Sequence, residues 1–150
     1  TRPVQQFDPE ASDLAAECRR MAEALDREGG LDVALLGIGM NGHLAFNEPG
    51  STTGSGTRVV QLHESSRISG SHCWGEETPS WGLTLGLREL LGAPAVIVMA
   101  NGSAKATVVA RALRGPVTPD VPASLVRHSQ NAVWVLDTAA ASALDGAESR

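Results

Sequence analysis

Four side chains of this sequence could move a proton and hold an anion around one small molecule. They are Asn41, His43 and Glu48 in GIGMNGHLAFNEPG, residues 37–50, and Lys105 in NGSAK. An imidazole has an ordinary pKa of ~6.5, so His43 can take or give a proton near neutral pH. Glu48 lies five residues on. A chain folding back at Asn47–Glu48–Pro49 brings its carboxylate to the ring, where it can fix one tautomer. On spacing alone, that role stands level with a plainer one, a loop histidine bonded to a backbone carbonyl. Gly37, Gly39 and Gly42 let the backbone take positive φ and approach a ligand. Turn geometry alone would also account for them. The phosphate-loop pattern ending in G-K-[ST] is absent.

The second constellation is NGSAK, residues 101–105. Free N–H groups at a helix start attract anions. Ser103 adds a hydroxyl and Lys105 a charge. The plainer reading makes Ser103 the N-cap and puts Lys105 on a solvated face. A lysine in a first turn opposes the helix dipole, a small penalty that a bound anion would remove. Arg58, His63, Arg67 and His72 fall in TRVVQLHESSRISGSHCWGEETP, which has the composition of a mobile covering segment or of a solvated loop and helix. The histidines lack H-E-x-x-H or zinc-type Cys/His spacing, so no metal is expected.

Elements must bring these residues together, and 150 residues suit about one domain, spanning 1–150. With 42% apolar and 19% charged residues, a packed soluble core is expected. A net charge of -5 without a basic run argues against nucleic acid as partner, and scarce aromatics argue against a base-stacking platform. No run approaches the ~20 apolar residues that span a bilayer, and no signal peptide is recognisable. Cys18 and Cys73 form no C-x-x-C pair, so free thiols in a reducing cytoplasm are expected.

FDPEASDLAAECRRMAEALDREGG reads as a helix capped by Asp8, with Pro9 at its first position and Gly29–Gly30 as its stop. The runs at 33–36, 93–100 and 132–137 are continuously apolar, as parallel strands covered on both faces are. TRVVQL reads as a shorter strand. NGSAKATVVARALRG, WGLTLGLRELLG and PASLVRHSQ read as helices. The alternation predicts an α/β fold, an open and mostly parallel sheet with helices on both faces. Ligands bind such sheets beyond the carboxyl ends of the strands, so the loops at 37–50 and 101–105 should meet at one edge. Three or four strands make a small sheet for burial on two faces, and more strands are expected upstream of Thr1.

GIGMNGHLAFNEPGS closely resembles the signature of the glucosamine-6-phosphate deaminase family, usually G-x-G-x-D-G-H-[IL]-A-F-N-E-P. The related galactosamine-6-phosphate isomerases look similar and can carry N-G-H. The resemblance continues through the covering segment, LTLGLRELLGA, GSAK and PASLVRHSQNAVWVLD, over nearly the whole chain. 6-Phosphogluconolactonases share the fold but follow G-H with T-A-S-L-F-P.

The resemblance implies a Rossmann-like fold and opening of an amino-sugar 6-phosphate ring, followed by isomerisation to the ketose with loss of ammonia. It implies His43 as proton acceptor, Glu48 as its orienting acid and Lys105 as the 6-phosphate ligand, with Gly37, Gly39, Gly42 and Ser103 beside them. Asn41 stands where the deaminases usually have aspartate; it can hydrogen-bond but not ionise, which favours the galactosamine-type relatives. His72 stands where the family's lid arginine is expected, unless Arg67 takes that role after a local shift. The family's N-terminal half, with its S/T-G-G-S-T-P loop and the aspartate that moves a proton between C2 and C1, has no counterpart in this chain. No organic cofactor or metal is implied. The implied partner is a sugar phosphate; family members vary in assembly, so a homo-oligomer is one possible state and the sequence does not settle it. The alternatives are a sugar-phosphate sensor with altered catalysis and a 6-phosphogluconolactonase.

Overall fold

The computed structural model describes residues 4–74 and 79–144, without the side chains of His72, Cys73 and Trp74. In chain order the elements are α1 (Leu14–Arg27), β1 (Val33–Gly37), β2 (Arg58–Gln61), α2 (Glu64–Trp74), β3 (Trp81–Thr84), α3 (Leu87–Leu91), β4 (Ala95–Ala100), α4 (Ala106–Arg114), β5 (Ala132–Leu136) and α5 (Thr138–Ala141). Short 3-10 turns at Ser103–Lys105 and Pro122–His128 complete them.

The expected parallel sheet is present, in the order β1-β4-β5. Side chains alternate across each strand. One face carries Ala34, Leu36, Val96, Val98 and Ala100, which pack with Leu87 and Leu90 of α3 and with Val108, Val109 and Ala112 of α4. Val96, Val98, Val109 and Leu87 are wholly buried. The opposite face is bare. Val33, Leu35, Met99, Val133 and Val135 are each about half exposed or more. Burial on both faces, expected from the uniform apolar runs, is therefore met on one face only among the described residues. The runs have the composition of strands covered twice, and the second cover is not supplied by the described helices.

Strands β2 and β3 form a separate antiparallel hairpin, with α2 between them in sequence. Helix α1 packs against this hairpin through a stripe that includes Cys18, Met21 and Ala24, rather than against the main sheet. Two boundaries differ from expectation. Asp13, not Asp8, caps α1, accepting from the Ala16 amide at 2.8 Å. Asp8 instead holds a turn upstream, where its amide donates to Glu17 and its carboxylate accepts from Glu10. WGLTLGLRELLG splits into β3 and α3, because Trp81–Thr84 pairs residue for residue with Arg58–Gln61 and Gly86 caps the helix that follows. The C-terminal end of α1 is as expected: Gly29 and Gly30 return their amides to Asp26 and Leu25. No helix among the described residues is long and apolar enough to cross a membrane.

Candidate active site

Adjacent parallel strands β1 and β4 end side by side, so the loops that follow them share one sheet edge. The loop after β1 is a compact turn. Gly39 and His43 pair through their backbone at 2.9 Å, and Gly42 returns its amide to Gly39. Leu44, wholly buried, anchors the turn by bridging to Ile38 and Asn47. Two glycines are required. At Gly39 a Cβ would lie well inside van der Waals contact of three ring atoms of His43. At Gly42 φ is +91, and a Cβ would press on Val121. Ala45 also sits at positive φ, +50, a strain of roughly 1–2 kcal/mol held by the bonds on either side.

The fold-back expected at Asn47–Glu48–Pro49 occurs. Asn47, fully buried, donates to the carbonyls of Leu44 and Leu85 and accepts from Arg58. Arg58 also holds Ser51, whose hydroxyl donates to the Glu48 carbonyl. Arg58 is thus a strut of the turn. The Glu48 carboxylate accepts from the Asn41 side-chain amide at 2.8 Å and from the His63 backbone amide at 3.2 Å. It lies 3.4 Å from His43 Nδ1. Burial pushes this carboxyl up, but the neighbouring His43, Ser66 and Asn41 side chains favour its charged form, outweigh that penalty and hold the pKa at about 2. Glu48 is therefore ionised throughout the neutral range. Asn41 serves the carboxylate and, through its carbonyl oxygen, the His43 amide. An aspartate there would face Glu48 with a like charge.

A cavity of about 380 Å³ opens at this edge. That volume suits a small-molecule site. Its walls include Gly37, Gly39, Met40, His43, Phe46, Ser66 and Lys105. Lys105 reaches across from the neighbouring loop, and its ammonium donates to the Ile38 carbonyl at 2.7 Å. Burial pulls its pKa below the usual lysine range. Of the other candidates, Glu48 and Asn41 stand behind His43, and Gly42 shapes the turn from behind, against Val121. Ser103 and Arg67 are exposed and are not among the cavity's walls. Ser103 is not the cap either: Gly102 takes that position. The Gly102 amide expected to be free for an anion is bonded to both carboxylate oxygens of Asp137, at 3.1 and 3.0 Å. The amides of Ala140 and Gly102 hold the Asp137 carboxyl below its ordinary range. His72 lies in α2, its side chain outside the described residues.

Sequence reasoning missed Ser66, whose hydroxyl is 3.0 Å from His43 Nδ1. One serine among the several of ESSRISGS carries no signal until α2 is placed. Residues 37–42 spell G-x-G-x-x-G, yet no helix follows them before β2, so the helix N-terminus that would seat a dinucleotide pyrophosphate is lacking. Among the described residues, no group of three or more His, Cys, Asp or Glu is placed to hold a metal.

Known proteins share both the sequence and the fold of this chain. Two glucosamine-6-phosphate deaminases illustrate the match. The one from Clostridium botulinum (strain Kyoto / Type A2) is 36% identical over 137 residues, 90% of this chain and 56% of its own length. The one from Rhodopirellula baltica is 45% identical over 126 residues, 82% of this chain and 50% of its own. The chain thus spans about half the length of the curated relatives it matches. In structure it resembles a monomeric glucosamine-6-phosphate deaminase, with a TM-score of 0.86 and 37% identity over 89% of this chain and 56% of that one. It resembles the 6-phosphogluconolactonase of Trypanosoma brucei less closely, with a TM-score of 0.62 and 27% identity over 91% of this chain and 57% of that one. The family model described as glucosamine-6-phosphate isomerases/6-phosphogluconolactonase matches residues 2–134, and the chain belongs to that family.

Proposed function

We propose that this chain carries the ring-opening and phosphate-holding part of an amino-sugar 6-phosphate isomerase/deaminase, with glucosamine 6-phosphate as substrate. One observation carries the reading: His43, backed by an ionised Glu48, and Lys105 line the same cavity from adjacent loops. Nδ1 of His43 is engaged by Ser66 and Glu48, which leaves Nε2 for substrate. Nε2 takes the proton of the anomeric hydroxyl and delivers one to the ring oxygen, and the pyranose opens to the aldehyde. Glu48 gives the ring an attractive partner while it holds both protons. Lys105 grips the 6-phosphate, and this remote contact positions C1 and C2. Arg67 and His72, both on α2, are the remaining candidates to share the phosphate charge.

A proton then moves from C2 to C1 through an enediol-like intermediate. The family resemblance assigns that step to an aspartate outside this chain. Water replaces the amine at C2, and the ketose 6-phosphate and ammonia leave. The relatives' names favour glucosamine over galactosamine 6-phosphate. Asn41 bonds Glu48, so its amide serves the acid and does not itself argue for the other epimer. The greater similarity to deaminases than to the lactonase favours deamination over lactone hydrolysis. A buried, free Cys18 fits a reducing cytoplasm.

The test is ammonia release by the complete protein that carries this chain. Glucosamine 6-phosphate is expected to release ammonia, and His43→Ala to slow release by about 100-fold or more. No release from either amino-sugar phosphate overturns the reading.

A further inference from the structure

We propose that Ser66 is a positioning residue whose hydroxyl bridges imidazole and carboxylate and so holds His43 as the Nδ1–H tautomer, with the Nε2 lone pair in the cavity. The proposal rests on the functional reading above for its catalytic meaning but not for its geometry. The direct approach of His43 Nδ1 to Glu48 Oε2 is 3.4 Å, long for a charge-assisted hydrogen bond. The approach of Nδ1 to Ser66 Oγ is 3.0 Å, within the ordinary range. Ser66 is also buried, although its neighbours Arg67 and Ile68 on α2 are exposed.

A hydroxyl has one proton to give and two lone pairs to receive with. Glu48 already accepts from Asn41 and His63, is ionised and can only accept. The hydroxyl also acts on that carboxylate, as one of the bonds that keep it deprotonated. Its proton therefore goes to Glu48, and its oxygen accepts from Nδ1–H. The chain imidazole–hydroxyl–carboxylate then has one direction, and Nε2 is left as the base. The residue that fixes the tautomer stands 23 positions away, on the helix that forms another wall of the cavity.

Nitrogen NMR of the complete protein labelled with 15N-histidine tests this. The His43 signals are assigned by their loss in His43→Gln. The Nδ1–H pattern is expected in the unaltered protein at pH 8. Ser66→Ala should shift His43 toward the Nε2–H form that predominates in free histidine, and Ser66→Thr should restore Nδ1–H. In ammonia release, Ser66→Ala should lower kcat about tenfold with little change in KM, and Ser66→Thr should recover it. An unchanged tautomer in Ser66→Ala overturns the proposal. So does a folded Ser66→Thr that fails to restore it. The tautomer is read without substrate, so a protein that releases no ammonia yet shows these shifts refutes the functional reading and leaves the positioning role standing.

Discussion

The turn from Gly37 to Glu48 and helix α2 face the same cavity, and they are held in opposite ways. The turn is tied down by polar groups that are buried and paired. Asn47 alone joins Leu44, Leu85 and Arg58, and Glu48 gathers Asn41, His43 and the His63 amide. Its bonds reach β3, the Lys105 loop and Ala123. Among its described side chains, helix α2 is held mainly by local bonds, such as Ser71 to Ile68 and Ser65 to His63. Through Ser66 it touches the His43 ring. Arg67 and Ile68 point to solvent. The difference separates a floor tied by buried polar bonds from a wall whose described side chains are tied mainly to near neighbours.

The sharpest way to break this contrast is at Asn47. Asn47→Ala removes two donors and one acceptor from a position with no solvent access. It takes one bond from the Leu85 carbonyl, which keeps the Thr84 hydroxyl, and one from Arg58, which keeps the Gly56 carbonyl. The expected loss is about 3 kcal/mol of folding stability, measured by urea titration. A loss below about 1 kcal/mol would mean that the turn is not held by its polar bonds.

Glu48 offers the next test. Its pKa is about 2 in the folded chain against an ordinary 4.5. A lowered carboxyl contributes stability that is complete above about pH 4.5 and is lost as pH falls toward 2. Between pH 5 and pH 3 this group should account for about 2 kcal/mol of the decline. The Glu48→Gln protein should lack that share, so its stability-versus-pH curve should be flatter in that window. Parallel curves would show that the carboxylate is not held ionised by the turn.

The sequence made the floor legible and the wall nearly illegible, for a physical reason. The turn is local: His43 and Glu48 are five residues apart, and the glycines announce where the backbone must bend. The parallel strands were legible because their apolar runs are long and uninterrupted. The long-range pairings were not. WGLT reads as helix until RVVQ is beside it, and Ser66 reads as one serine among several until α2 is laid over His43. Asp137, which occupies the Gly102 amide, comes from 35 residues away and has no signature. The bare face at Val33, Leu35 and Val135 is the converse case: the residues state what they need, and the described fold does not supply it.

The smallest expected effect is the most informative about α2. Ile68 is a large apolar residue, yet 60% of it is exposed. Hydrophobic stabilisation scales with the area removed from water, so little is at stake there. Ile68→Ser should change folding stability by no more than about 0.5 kcal/mol in urea titration. Truncating wholly buried Leu44 to alanine should cost about 2–5 kcal/mol in the same assay. Leu44 belongs to the turn and Ile68 to α2, so the pair measures the contrast directly. If Ile68→Ser costs as much as Leu44→Ala, α2 is packed against something that covers Ile68 in solution, and the helix is a second fixed wall. If it costs nothing, the Ser66 contact to His43 is made by a helix with little else to hold it there, and the tautomer of the ring reports whether that helix is in place.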